Sequence, residues 1–215
     1  MTAGEIERLR AAASRDDVVS MVALARALYA SGLGPPEVMR QCYGVGFPEE
    51  LFVIVEARLA GRGQLSIAWT KLPWELAYAP DPGAPMPTPG MLDDVERRVS
   101  AHDSDLVPLG LILDLHTRLS EVVLCYRLAA LRAGRSTVFG IGRQVATADT
   151  AEPLGDALLA VLHEHNVDVL RWHESKFGHP SNRGAGSIEL SDLAEVRSQL
   201  EDVEELQRQV AARAR

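Results

Sequence analysis

The chain has 215 residues, 47% of them apolar, and its 22 Lys and Arg against 30 Asp and Glu give a net charge of −8. A chain of this length can bury a sufficient core without disulfides. The charge balance argues against nonspecific nucleic-acid binding, which needs cationic groups near the phosphates. It suits a basic protein partner, because a negative field attracts and orients positive surfaces.

Targeting and membrane signals are missing from the sequence. The N-terminus is charged from Glu5 onward and has no apolar signal core. No apolar run approaches the roughly 18 residues needed to span a bilayer. We therefore expect a cytoplasmic protein with no membrane association. Cys42 and Cys125 lie in apolar surroundings, and we expect them to be reduced core thiols.

Residues 15–61 predict three helices, and the first two are marked by their ends. The first begins after Ser14, whose side chain suits an N-cap, and ends at Gly32, which suits a left-handed conformation. The second is short, with prolines at its start and Gly44 at its end.

The third helix opens at Pro48, whose missing N–H suits the first helical position. Glu49 and Glu50 fall in its first turn, where the positive end of the helix dipole favours carboxylates. Apolar side chains recur every four residues, at Leu51, Val55 and Leu59. Every unusual residue of this segment thus has a structural role, and we expect neither glutamate to be catalytic.

Residues 64–143 predict a sheet. The stretch "QLSIAWTKLPWELAYA" supplies a broken first strand, and the proline-rich "APDPGAPMPTPG" predicts an extended loop. Three apolar runs follow, "LVPLGLILDL", "EVVLCYRLAAL" and "STVFGIGR". Their connections are too short for crossover helices, so we predict consecutive antiparallel strands.

The C-terminal part predicts two more helices. Residues 153–165 form the first, and a polar loop follows. Residues 191–215 form a long amphipathic helix with Ser191 as its N-cap. The predicted fold is α+β, with a twisted, mainly antiparallel sheet flanked by helices in one domain over 1–190. The last helix packs on that domain or forms a homodimer.

A histidine-rich segment is the strongest candidate for chemistry. Imidazole and carboxylate groups, the ligands of zinc or iron, fall close together at His163, His165, His173 and His179, with Glu164, Asp168 and Glu174 among them. The spacing is unfavourable, because His163 and His165 would face opposite ways on a helix. A metal-dependent enzyme is therefore the alternative hypothesis.

Other catalytic and cofactor motifs are weak. "FGIGR" has Gly140 and Gly142 but no third glycine at the dinucleotide-binding spacing. Neither a G-x-S-x-G nucleophile elbow nor a phosphate loop occurs. We expect no cofactor.

Exposed aromatic and acidic side chains are the candidate contacts for a protein partner. Trp74 follows Pro73 in an irregular segment, where it either anchors an interface or covers the edge of the core. Asp103, Asp105 and Asp114 flank the predicted strands. Alternating acids such as the first two can hold a divalent ion, but a turn with Asx hydrogen bonds is the more common arrangement.

The order of these elements resembles the SUKH superfamily, which includes Smi/Knr-type cell-wall regulators and many bacterial toxin-immunity proteins. The resemblance covers residues 35–145. It is carried by a tyrosine-glycine, by the helix start Phe47-Pro48-Glu49-Glu50-Leu51-Phe52, by "DLVPLG" and by "VVLCYRL".

This resemblance implies a binding protein, not an enzyme, with a twisted antiparallel sheet flanked by helices. Its immunity branch blocks a partner toxin by direct docking, and an acidic surface suits a toxin that presents a cationic groove. We therefore expect a noncatalytic protein-binding module. The alternatives are the metal-dependent enzyme and a structural protein that self-associates through 191–215.

Overall fold

A computed structural model describes residues 2–62, 65–81, 83–88, 91–113, 121–144, 150–177 and 187–215. The described α-helices are α1 (Ala3–Ala12), α2 (Val18–Ala30), α3 (Pro35–Tyr43), α4 (Glu49–Leu59), α5 (Met91–His102), α6 (Leu128–Arg132), α7 (Leu158–Phe177) and α8 (Ser187–Arg213). The strands are β1 (Ala68–Trp69), β2 (Leu106–Leu113), β3 (Glu121–Arg127), β4 (Val138–Gly142) and β5 (Glu152–Gly155). A short 3₁₀ helix spans Trp74–Leu76.

The five strands form one antiparallel sheet in the order β1-β2-β3-β4-β5. Tyr126 at the centre of the sheet pairs with Val107 on one side and with Val138 on the other. A register shift falls between Pro108 and Gly110, since a proline cannot donate to the strand ladder. The predicted α+β class and the three consecutive antiparallel strands are confirmed.

Helices cover both faces of the sheet. Alternation along β3 sends Leu124 and Tyr126 into the larger core, which contains residues from α2, α4, α7 and α8. Val123 and Cys125 point the other way, into a smaller cluster that is completed by Val95 and Val99 of α5 and by Leu106, Leu111 and Ile141. The sheet is therefore buried on both faces at its centre.

The C-terminal region differs from its prediction. The segment expected to be a helix over 153–165 begins as the edge strand β5, and the helix starts only at Leu158. That helix continues to Phe177, beyond its predicted end, because its inner face packs along α8. Val167 and Val169 are β-branched and have a low helix propensity, which tertiary packing overrides.

Three helices were not predicted, and one of them, α6, replaces the end of the run "EVVLCYRLAAL", which was predicted to be a strand. α1 begins with a capping box in which Thr2 and Glu5 exchange hydrogen bonds. α5 follows the proline-rich loop and supplies the cover for the smaller cluster. Asp17, not Ser14, is the N-cap of α2, because its carboxylate accepts the Val19 N–H.

α8 packs lengthwise on the rest of the chain, against α4 and α7. Val203 and Leu206 on its inner face are 0% and 3% exposed. At its end Arg213 forms ion pairs with Glu49 at 2.9 Å and with Glu56, both on α4. The apolar stripe of α8 is thus used within one chain.

Candidate functional site

Glu50, in the Pro-Glu-Glu segment at the start of α4, connects three parts of the fold. Glu50 is 5% exposed, and its carboxylate accepts three hydrogen bonds. They come from the Tyr126 hydroxyl at 2.7 Å, from the Leu158 N–H at 2.8 Å and from the Leu159 N–H at 3.1 Å. Glu50 therefore ties α4 to the central strand and to the start of α7.

The contacts of Glu50 also explain how α7 can begin where it does. The residue before the helix is Ala157, which has no side-chain oxygen to accept from the first N–H groups. Glu50 supplies that acceptor from α4 and places a negative charge at the positive end of the helix dipole. Burial, together with the adjacent carboxylate, raises the pKa of Tyr126 well above its ordinary value.

Glu49 is occupied differently, since its carboxylate is exposed and pairs with Arg213. The two adjacent glutamates thus point to different surroundings, one to the core and one to α8. These contacts agree with the structural role predicted for both glutamates. Among the described contacts, neither carboxylate touches a histidine.

The candidate metal ligands do not come together in the described residues. His163 and His165 both lie on α7, and His163 Nε2 is 3.7 Å from Glu204 Oε1 on α8. His165 is half-buried, and burial lowers its pKa. His173 lies on the same helix, and His179 falls outside the described residues. Among the described side chains, no group of three or more His, Cys, Asp or Glu could hold a metal ion.

Trp74 covers the core and does not form a surface anchor. It is 3% exposed, its indole N–H donates to the Leu109 carbonyl at 2.6 Å, and its ring packs edge-on against Trp69 at 4.4 Å between centroids. The guanidinium of Arg58 lies 4.5 Å from the Trp69 ring centre. Of the two roles predicted for Trp74, the structure shows the core one, so a partner cannot reach it in this conformation.

The acidic pair before β2 forms a turn. The Asp105 N–H donates to the Asp103 carboxylate at 2.9 Å, which forms an Asx turn. The Asp105 carboxylate accepts the Ala129 N–H at 3.1 Å. Asp103 pairs with Arg127 at 2.9 Å and Asp105 with Arg132 at 3.5 Å. Both carboxylates therefore order the turn between α5 and the sheet. Asp114 lies outside the described residues.

Neither thiol has an environment that favours the reactive thiolate. Burial raises the pKa of Cys42 to about 12 and raises that of the fully buried Cys125 further. Both cysteines are free. Since only the thiolate is a good nucleophile, neither residue is suited to covalent catalysis at neutral pH.

α7 and α8 carry a group of carboxylates that we call the acidic helix pair. It consists of Glu164 and Asp168 on α7 and of Glu201, Glu204 and Glu205 on α8. The side chains of Asp168, Glu204 and Glu205 are about half exposed, at 44%, 45% and 53%. The His163–Glu204 contact places the two helices side by side here.

Only part of this charge is neutralised within the molecule. Asp168 pairs with Arg171, and Glu205 pairs with Arg208. Glu164 and Glu201 are exposed and form no ion pair with any described residue. The acidic run at 201–205 could be found from the sequence, but its proximity to α7 could not.

None of the described helices is long and apolar enough to cross a membrane. Comparison with protein-family models, with curated proteins and with solved structures finds no match to this chain.

Proposed function

We propose that the protein is a noncatalytic protein-binding module of the immunity type, which docks on a basic partner through the acidic helix pair. The observation that carries the proposal is the uneven distribution of charge. Residues 151–215 contain twelve acidic and seven basic residues, a net charge of −5 out of the total of −8. Less than a third of the chain thus carries most of its net negative charge.

The fold presents this charge outward. The inner side of α8 is occupied by apolar residues such as Val203 and Leu206, so its carboxylates face away from the core. Arg213, a cation that could have neutralised them, instead pairs with Glu49 and Glu56 on α4. A docked cationic surface would find acceptors at Glu164 and Glu201 that no described residue already neutralises.

The resemblance to the SUKH superfamily supports the same function. The segment that carries it, from Phe47 to Phe52, opens α4, and the apolar segments "DLVPLG" and "VVLCYRL" lie in and beside the paired strands β2 and β3. A binding protein of this type needs no reactive group. The buried carboxylate of Glu50 is committed to the scaffold.

Co-expression with the products of the two flanking reading frames tests the proposal. We expect one of them to be toxic alone, to be neutralised by this protein and to co-purify with it. Replacing Glu164 and Glu201 together by lysine should slow association at least tenfold and weaken its salt dependence, because complementary charge chiefly accelerates encounter.

A matched control makes the same change in charge elsewhere. Replacing Glu7 and Glu37, on α1 and α3, by lysine should leave the association rate within about twofold of the wild type. Equal effects of the two double variants would assign the dependence to net charge and refute docking at the acidic helix pair. If neither flanking product binds, the immunity function is wrong.

A further inference from the structure

A cavity of about 510 Å³ lies between α2 and the proline-rich loop. Its volume falls in the range of small-molecule sites, about 300–1,000 Å³. Arg26 and Tyr29 of α2 form one wall, and Lys71, Glu75 and Tyr78 form another. The outer side is closed by loop residues Pro80, Asp81 and 84–88. None of these groups belongs to the acidic helix pair.

Cationic side chains hold the loop in place. The Arg26 guanidinium donates to the carbonyls of Ala84 and Pro85, both at 2.6 Å. Lys71 donates from its ammonium group to the carbonyl of Thr88. Prolines remove several N–H groups from this segment, and its carbonyls accept from these cations.

Arg26 keeps its positive charge uncompensated in this arrangement. Its two terminal nitrogens bind neutral carbonyls, and it forms no ion pair with a carboxylate in the described parts of the chain. Arg26 lines the cavity, so an anionic group bound there would supply the charged partner that the described residues do not.

The aromatic walls are fixed by their hydroxyl groups. Tyr29 donates to the Leu76 carbonyl at 2.8 Å, and Tyr78 donates to the Glu75 carboxylate at 3.3 Å. The Glu75 carboxylate thereby faces a phenol, and Asp81 is exposed at the rim. The tyrosine rings and the prolines of the loop leave an apolar lining beside the cations.

We propose that this cavity binds a small molecule in which a carboxylate is attached to an aromatic or apolar body. The terminal nitrogens of Arg26 and the ammonium group of Lys71 receive the carboxylate. The rings of Tyr29 and Tyr78 and the proline wall receive the body. Convergent polar groups beside apolar surface are a usual composition of such a site.

The test is an NMR titration of the ¹⁵N-labelled protein with benzoate and with benzamide, its neutral analogue of the same shape. Benzoate should shift the amide signals of Tyr29, Lys71 and Tyr78, and benzamide should bind at least tenfold more weakly. Arg26→Gln should reduce the affinity for benzoate at least tenfold and leave that for benzamide unchanged. Arg8→Gln, which removes an exposed arginine of α1, should leave both unchanged.

Several results would overturn the proposal. Benzoate and benzamide would bind equally if the cations played no part. Shifts confined to other parts of the chain would place binding elsewhere, and shifts of the same size with inorganic phosphate would show that no apolar body is needed. If Arg26→Gln does not fold, Lys71→Met replaces it, and the benzoate-to-benzamide ratio in the wild type decides by itself.

Discussion

Replacing Glu50 should destabilise the fold far more than replacing its neighbour Glu49. Glu50→Ala removes the acceptor of three buried hydrogen bonds, which join α4 to Tyr126 and to the first two N–H groups of α7. Glu50→Gln is subtler. Its amide oxygen can still accept from Tyr126 and from Leu158, but its NH₂ group then faces the N–H of Leu159, so two donors oppose each other.

The magnitude follows from burial and charge. A hydrogen bond to a charged group contributes about 1.5–3 kcal/mol, and removing one partner from a buried charged network costs about 3–5 kcal/mol. We expect the free energy of unfolding to fall by about 4 kcal/mol in Glu50→Ala and by about 2 kcal/mol in Glu50→Gln. Glu49→Gln breaks only an exposed ion pair, so it should cost at most about 1 kcal/mol.

Urea denaturation followed by circular dichroism measures these differences. In thermal melts, about 4 kcal/mol corresponds to a fall in Tm of roughly 8–16 °C for a chain of this size. The reasoning is refuted if Glu50→Ala lies within about 1 kcal/mol of the wild type, or if Glu49→Gln is as damaging. Folded Glu50→Gln protein should bind the partner with unchanged affinity, because Glu50 is buried away from the acidic helix pair.

Three further changes probe the packing of α7 and α8. Val203→Ala, at a fully buried position of α8, should lower the free energy of unfolding by about 2–3 kcal/mol in urea titrations, because it leaves a cavity. Asn166→Leu should raise it by about 1 kcal/mol, since the Asn166 amide is buried without hydrogen-bond partners, and a loss of stability would contradict this account. Burial lowers the pKa of His165, an effect that Asp168 only partly opposes. The native state therefore binds this proton less readily than the unfolded chain does, so stability falls as pH drops through about 6.5 toward the lower native pKa. His165→Gln should show a smaller fall in the urea midpoint between pH 8 and pH 5 than the wild type.

Local patterns of side chains were enough to predict much of the architecture. The apolar run "EVVLCYR" and the short connections around it predicted antiparallel strands, and β3 and its neighbours have that arrangement. The proline at 48 and the glycine at 44 predicted the start of α4 and the end of α3, since both residues act through their own backbone conformation. Such signals depend on a few adjacent residues.

Misplaced elements were those whose conformation depends on distant partners. The residues at 152–155 look like the first turn of a helix, but they pair with β4. α7 begins at a position with a poor N-cap because Glu50, more than 100 residues earlier, receives its first N–H groups. The part of α7 around Val167 and Val169 stays helical because α8 packs along the helix.

By itself, the sequence determined the class of the fold, the central strands and the excess of negative charge in the last third. Those properties follow from side-chain periodicity, backbone constraints and composition, all of which can be read along the chain. Only the tertiary structure decided that Glu50 is a buried joint, that Trp74 lies in the core and that the acids of α7 and α8 form one surface. Each of these depends on which distant residues become neighbours when the apolar faces are buried together, and a single sequence does not state that pairing.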